Sequence, residues 1–161
     1  MIGSSGWGNA FEYHGHKKFI EAQRLILYEI NDRDTSYYAT TIPINIQRVR
    51  RFWNINDISE VQDNEYGLPI ASNFPLIDAD LQPNNFLIQF TTSTTHRGAV
   101  GKLDEIRKKL HGCDYMMISV VPSNVLREFK HQSTIKIKQY VMRVEHTTSI
   151  QLPVLKKQRT V

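Results

Sequence analysis

The sequence predicts one α/β domain. Its 161 residues suit a single domain of ordinary size that can bury a core. With 40% hydrophobic and 22% charged residues, the composition excludes a wholly disordered chain. Segments whose apolar residues recur at helical spacing alternate with shorter runs rich in β-branched and aromatic residues, which is typical of an α/β protein.

The first half of the chain predicts one helix and two strands. A helix from Phe11 to about Leu27 would place its apolar residues on one side, namely Phe11, Phe19, Ala22, Leu25 and Ile26. Residues 37–46 and 47–53 have the β-branched and aromatic content of strands. Residues 54–66 are polar and acidic, which predicts a loop.

Residues 76–92 predict a β-hairpin with a defined register. The turn residues Gln82-Pro83-Asn84-Asn85 separate two strand-like segments, so a four-residue loop pairs Leu81 with Phe86 and, further along, Asp78 with Gln89. Because side chains alternate between faces, one face is entirely apolar and we expect it to form the core. We expect the other face to be exposed; it carries Leu76, Asp78, Asp80, Leu87, Gln89 and Thr91.

The second half predicts a further helix, a buried strand, a short helix and an edge strand. Residues 100–110 have helical spacing, and residues 114–121 form a near-continuous apolar run typical of a buried strand. Ser123 is a suitable cap for a short helix. Residues 134–144 alternate with one change of phase, which predicts an edge strand with a bulge.

The chain organisation is simple. We expect residues 1–7 to be a disordered leader or the edge of a longer chain, residues 8–150 to be the domain and residues 151–161 to be a mobile basic tail. The first residues lack the order of a signal peptide. Apolar runs such as Met116–Val121 are far shorter than the ~18 residues of a membrane helix, so no membrane partner is expected. The single cysteine, Cys113, excludes an internal disulfide.

The net charge of +4 is the sum of two opposed parts. Residues 1–96 hold 7 basic and 11 acidic residues, whereas residues 97–161 hold 13 and 5. Clustered Lys and Arg replace counterions on phosphate backbones, so the basic part indicates nucleic acid as a partner, although a solvated surface explains the same count. The candidate contact residues are Arg97, Lys102, Lys108, Lys109, Lys136 and Lys138. The last two also suit an edge strand that resists aggregation.

The polar hairpin face could hold a metal ion. Asp78, Asp80 and Gln89 offer the oxygen ligands that Mg²⁺ or Mn²⁺ prefers. A metal there could polarise a phosphodiester and generate hydroxide for hydrolysis. An acid pair beside a turn with a purely structural role is the alternative. His14 and His16 flank Gly15, and we interpret them as ordinary surface histidines.

Short motifs follow one another in a recognisable order from about Gly8 to Glu145. They are Gly8–His14, Tyr66–Pro69, Phe74–Ala79, Gln89–Ser93 with His96, Ile118–Pro122 and Lys138–Val141. This succession resembles the C-terminal domain of Crinkler effectors and the related retrotransposon hot spot proteins. The resemblance implies a restriction-endonuclease-like core, in which a central mixed β-sheet is flanked by helices, and Mg²⁺-dependent nuclease activity on DNA rather than RNA.

The resemblance also implies site residues. The PD-(D/E)XK pattern uses an acid on the first helix, an Asp on the second strand, and Glu or Gln, any residue, then Lys on the third. Glu12, Asp78 and Gln89-Phe90-Thr91 match these positions. Glu12 could instead simply favour a helix N-terminus.

Thr91 departs from the pattern because it occupies the position of the lysine, and threonine carries no charge. His96, Lys102 and Lys18 are candidates to replace that lysine, although His96 could also serve only in a helix cap. Without a replacement, the domain would be a degenerate nuclease fold that binds DNA or a host protein.

The resemblance also implies a secreted effector that is delivered to a host cell, often to its nucleus. A host nuclear protein is therefore a further expected partner, and a homodimer remains open.

Overall fold

The computed structural model describes residues 4–33, 35–70, 74, 76–94, 102–110 and 114–145. Along these residues the helices and strands follow in this order: α1 (Ser4–Glu21), β1 (Arg24–Ile30), β2 (Thr35–Pro43), β3 (Arg48–Phe52), a 3-10 helix (Ile55–Glu60), β4 (Glu65–Pro69), β5 (Ala79–Leu81), β6 (Phe86–Phe90), α2 (Lys102–Lys109), β7 (Met116–Pro122) and β8 (Lys138–Val144).

The eight described strands form one mixed sheet in the order β2-β1-β8-β7-β6-β5-β4-β3. The pairs β3–β4, β6–β7 and β7–β8 are parallel, and the other pairs are antiparallel. The predicted α/β class is therefore confirmed, with a central sheet flanked by helices. The prediction that residues 134–144 form an edge strand is wrong, because β8 lies between β1 and β7.

Apolar layers cover both faces of the sheet. On the first face, α1 packs through Phe11 and Phe19 against side chains that include Ile88 and Phe90 of β6. On the second face, the 3-10 helix, α2 and the segment between β7 and β8 pack against side chains that include Leu87. Consecutive strand residues point to opposite faces, so β6 contributes to both layers.

Helix α1 lies unusually close to β6. Gly15 is buried against the ring of Phe90, and a Cβ atom at this position would overlap that ring. Only glycine leaves the space for this approach. The contact holds the middle of α1, with Glu12 and His16 on either side of Gly15, over the end of β6.

The predicted first helix is correct up to Glu21 and wrong beyond it. Residues of β1 alternate in burial, with Leu25 and Leu27 fully buried and Ile26 48% exposed. This period of two fits a strand, and β1 pairs with both β2 and β8. At its other end α1 begins at Ser4, so four residues of the expected leader are helical.

The hairpin register is confirmed, because Ala79 pairs with Ile88 and Leu81 with Phe86. The predicted strands in 37–46, 47–53 and 114–121 and the helix in 100–110 correspond to β2, β3, β7 and α2. The predicted loop at 54–66 is wrong, since it contains the 3-10 helix and the start of β4. Residues 123–128 form hydrogen-bonded turns in place of the predicted short helix.

Several predicted features lie outside the described residues. They are Cys113, His96, Arg97 and the basic tail at residues 151–161. None of the helices that the structure describes has the length and apolar character needed to span a membrane.

Candidate functional site

Two carboxylates from distant parts of the chain approach each other on the first face. Glu12 lies on α1, and Asp78 immediately precedes β5. The charge of Glu12 acts on Asp78, and His16, one turn after Glu12, acts on it with opposite sign. The structure thus brings together the predicted helix acid and the predicted strand acid.

A break in strand alternation turns Asp78 towards the first face. Leu76 has a φ of 73°, a left-handed conformation, and Ile77 packs in the second-face layer. Asp78 and Ala79 therefore both lie on the first-face side, although they are neighbours in sequence. The Asp78 backbone N–H donates to the carbonyl of Ile88 (2.8 Å), and the Phe90 N–H donates to Asp78 Oδ2 (2.7 Å).

The carboxyl of Asp78 has a raised pKa. Burial, followed by the negative charge of Glu12, raises the pKa of Asp78 from 3.8 to about 6. The N–H of Phe90 and the nearby His16 lower this pKa but do not cancel the increase. The carboxylates of Glu12 and Asp78 therefore repel each other, and binding of a proton or a cation would reduce this repulsion.

His16 joins the acid pair to a buried tyrosine. Its Nδ1 lies 2.7 Å from the hydroxyl of Tyr66, and its Nε2 lies 3.3 Å from Glu12 Oε1. Burial and the charges of Asp78 and Glu12 raise the pKa of Tyr66 well above its ordinary value, so the hydroxyl stays protonated. The imidazole thus bridges the Tyr66 hydroxyl and the Glu12 carboxylate.

The other predicted acid points away from this site. Asp80 lies on the second face, where its Oδ1 accepts a hydrogen bond from Gln82 Nε2 at 3.2 Å. The residue is fully buried, and its Oδ2 has no hydrogen-bond partner among the described residues. Burial raises the pKa of Asp80 to about 7. The expectation of an exposed polar face is therefore wrong, and Asp80 and Asp78 do not share a ligand.

Gln89 also belongs to the second face, because it lies between Ile88 and Phe90 of the first-face layer. Its Nε2 donates to the carbonyl of Leu76 (2.6 Å), and its Oε1 accepts from Gln132 Nε2 (3.0 Å). The structure therefore separates Gln89 from Asp78, although both belong to the predicted metal site. Its amide is committed to a structural role.

Gln132 connects this face into a neutral hydrogen-bonded network. Besides Gln89 it donates to the hydroxyl of Ser119 (3.2 Å), and its backbone N–H donates to Gln139 Oε1 (3.0 Å). All four side chains are at most 5% exposed. These buried hydrogen bonds hold the segment between β7 and β8 against the sheet, and Gln132 Oε1 has no hydrogen-bond partner among the described residues.

Thr91 provides no charge for the site. Its hydroxyl accepts a hydrogen bond from the Ser93 N–H at 3.1 Å, and its own N–H donates to Val120, so it stabilises the turn after β6. Among the suggested replacements for the missing lysine, Lys102 pairs with Glu105 on α2 and Lys18 is exposed. His96 lies outside the described residues. His16 is the imidazole that the structure places beside Glu12.

The predicted nucleic-acid contacts divide between two places. Lys102, Lys108 and Lys109 lie on α2, the helix that covers the second face and not the acid pair. Lys136 is exposed before β8, and Lys138 at the start of β8 pairs with Glu29 (3.5 Å) and lies over the ring of Tyr140.

Two arginines of β3 have a structural role. Arg50 Nε donates to Glu65 Oε2 (2.6 Å), and Arg48 lies 3.3 Å from Oε1 of the same side chain. Glu65 is 2% exposed, and its hydrogen bond with Arg50 lowers its pKa. These pairs keep a buried carboxylate ionised, so β3 presents only part of its basic surface to a ligand.

The sequence interpretation missed His16 and Tyr66. One signal for His16 was available, because residues four apart on a helix share a face and Glu12 and His16 have this spacing. Tyr66 offered no comparable signal, since only the folding of β4 beneath α1 brings its hydroxyl to the imidazole.

Comparisons with protein-family models, with curated proteins and with solved structures found no match to this chain.

Proposed function

We propose that this chain is a restriction-endonuclease-like domain that acts on nucleic acid by metal-dependent phosphodiester hydrolysis. The observation that carries the proposal is the position of Asp78, which accepts a hydrogen bond from the Phe90 N–H at the carboxyl end of β6 and whose pKa is raised by burial and then by the charge of Glu12. Ligand sites in α/β sheets commonly lie at this end of parallel strands, and β6 is parallel to β7. The family resemblance of the motifs supports the same function.

The acid pair fits Mg²⁺ or Mn²⁺ better than it fits a zinc-type site. No group of three or more His, Cys, Asp and Glu residues suited to hold a metal occurs in the described part of the chain. Mg²⁺ is commonly held by one or two carboxylates while waters and substrate phosphates complete its coordination. Glu12 and Asp78 would be these two ligands, without Asp80 or Gln89.

The residues around the pair would then have separate roles. The metal, when bound, would polarise the phosphodiester and lower the pKa of its bound water. Asp78 is held by the Phe90 N–H, and Glu12 is held by His16. Tyr66 fixes the orientation of the imidazole from the buried side.

A second candidate function is binding without cleavage. Two observations favour it: Thr91 replaces the expected lysine, and the Gln89 amide is engaged by Leu76 and Gln132. Under this hypothesis the fold is a degenerate nuclease that serves as a DNA-binding or host-protein-binding module. The exposed cations of the second half of the sequence, such as Lys108 and Lys136, would supply its phosphate contacts.

Cleavage of plasmid DNA with Mg²⁺ or Mn²⁺ tests the first candidate. We expect Asp78→Asn and Glu12→Gln each to reduce cleavage by at least about 100-fold, since even residues that only support a metal ligand are worth about 10–100-fold. Asp80→Asn is a matched control, because it makes the same chemical change two residues away on the other face. Equal cleavage by wild type and Asp78→Asn, or loss of cleavage in Asp80→Asn alone, would contradict the assignment.

A salt titration of DNA binding separates the two candidates. Steep loss of affinity with salt, without cleavage by the wild type, supports the binding module. No affinity for DNA at low salt would remove nucleic acid from both hypotheses.

Secretion and delivery to a host nucleus are a proposal that depends on the family resemblance. Expression of a fluorescent fusion in host-type cells tests the nuclear part, and exclusion of the fusion from the nucleus would contradict it.

A further inference from the structure

A cleft of about 720 Å³ is lined by residues other than those of the acid pair. It is formed by the residues that follow β1, by Thr94 after β6, and by residues 127–131 and 133 between β7 and β8. Its volume lies in the range of about 300–1,000 Å³ that is usual for small-molecule sites.

Residues 127–131, which form one side of the cleft, are held against the sheet. Phe129 is 2% exposed and packs in the second-face layer, and its N–H donates to the carbonyl of Val125 at 2.9 Å. The next residue, Lys130, donates its backbone N–H to the carbonyl of Thr94 at 3.1 Å. These contacts fix the backbone that carries the exposed side chains of Arg127 and Lys130.

Three cations line the cleft, and none of them pairs with a carboxylate in the part of the chain that the structure describes. Arg33, Arg127 and Lys130 form no ion pair with any residue that the structure describes, whereas Arg48, Arg50, Lys102 and Lys138 each pair with a glutamate. The three come from two separate segments and line the same cleft. Unpaired cations in a cleft favour an anion, and arginine suits phosphate in particular.

Two carboxylates and a histidine also line the cleft, together with Asn31, Thr94 and Ser133. Asp32 and Glu128 can accept hydrogen bonds, so a ligand that carries only negative charge would meet repulsion on part of the wall. A ligand that combines a phosphate with hydroxyl and amino donors would satisfy both kinds of group. A nucleotide has this combination, with a phosphate at one end and ribose hydroxyls and base amino groups elsewhere.

We propose that this cleft binds a nucleoside 5′-phosphate unit, with Arg33, Arg127 and Lys130 holding the phosphate. Two ligands carry this unit, a free mononucleotide and the 5′-phosphorylated end of a single strand. The inference does not depend on hydrolysis at Glu12 and Asp78, because the cleft uses none of the residues of that site.

Calorimetric titration of the full chain with AMP tests the proposal. We expect saturable binding of AMP, at least about tenfold weaker binding of adenosine, and an increase of about tenfold in Kd for Arg127→Gln and for Lys130→Gln, as expected for loss of one charge-assisted hydrogen bond. Arg143→Gln removes an exposed cation of β8 that does not line the cleft, and it should leave the Kd unchanged. Thermal melts of each variant confirm that the fold is kept.

Competition with hexathymidylate distinguishes the two sources. Displacement of AMP by the 5′-phosphorylated hexamer, but not by its 5′-hydroxyl form, identifies the strand end as the ligand; failure of both to compete identifies the free nucleotide. Absence of saturable AMP binding up to about 1 mM, or equal binding by wild type and Arg127→Gln, would overturn the proposal. Asp78→Asn should bind AMP as wild type does, so failure of the hydrolytic function is recognised separately.

Discussion

Asp78 and Asp80 lie two residues apart in the same strand region, but they face opposite layers of the protein. Both carboxyls have a pKa raised chiefly by burial, to about 6 and about 7. Asp78 is half-buried and interacts with Glu12 and His16, whereas Asp80 is sealed beneath the second-face layer with one oxygen unpartnered among the described residues.

The difference shows that a raised pKa alone does not define a functional site. Desolvation has the same effect on a carboxyl in a closed core as in an open cleft. What distinguishes Asp78 is a second acid and an imidazole on the same side, together with partial access to solvent. The comparison therefore makes Asp78 the candidate for chemistry and Asp80 a local weakness of the fold.

The largest expected effect is on stability, through Asp80. Its pKa rises from 3.8 in the unfolded chain to about 7 in the fold, so the stability linked to its neutral form is complete below about pH 4 and is lost as pH rises to about 7. We expect Asp80→Asn to increase the free energy of unfolding at pH 8 by up to about 4 kcal/mol and to change it little at pH 4. Urea denaturation at both pH values measures this difference. Asp63→Asn, on an exposed turn, is the control and should have little effect at either pH.

The next effect concerns the contact that holds α1 on the first face. Gly15→Ala would place a methyl group into the ring of Phe90, and we expect it to reduce the free energy of unfolding by about 1–3 kcal/mol despite the better helix propensity of alanine. Thermal or urea unfolding measures the loss.

A double-mutant cycle locates the cause of that loss. In a Phe90→Leu background the smaller side chain leaves room for the methyl group, so Gly15→Ala should then be less destabilising. An unchanged loss in the double variant would show that the close approach of α1 to β6 is not its origin.

The smallest effect is a pH dependence at the acid pair. A cation must displace the proton from Asp78, so its affinity should be constant above about pH 7 and fall by up to about tenfold per pH unit below the pKa of about 6. Titration with Mn²⁺, followed by electron paramagnetic resonance, measures this affinity between pH 5 and 8. Asp78→Asn should bind weakly at all pH values, and a wild-type affinity that does not change with pH would contradict the assignment.

Local sequence patterns predicted the helices and strands whose main contacts are with residues close in sequence. The turn at residues 82–85 defined the pairing of Ala79 with Ile88, because a short loop leaves few registers open. The helical spacing of Leu103 and Ile106 likewise predicted α2. The helix prediction was wrong for Arg24–Ile30. Five of its seven residues are apolar or amphipathic, so the segment fits both helical and strand spacing, and its pairing partners β2 and β8 lie elsewhere in the chain.

The candidate site was predicted in part. Glu12 and Asp78 were identified and lie near each other, but the alternation rule placed Asp78 on the face of Asp80 and Gln89. Alternation does not hold before β5, where the neighbours Leu76 and Ile77 both pack in the second-face layer. His16 was interpreted as a surface residue, although it contacts Tyr66 fifty positions later.

The sequence by itself determined the α/β class and the hairpin register, because each follows from spacing along short stretches of chain, whereas Glu12 was predicted from the family resemblance. The tertiary structure decided which side of the sheet each polar group faces, because that depends on a local backbone turn and on the layers that cover the strands. It also separated the neutral network around Gln132 from the charged pair at Glu12 and Asp78. Burial and neighbouring charges depend on the whole fold and not on a short segment. They make Asp78 a candidate metal ligand, whereas burial of Asp80 lowers the stability of the fold.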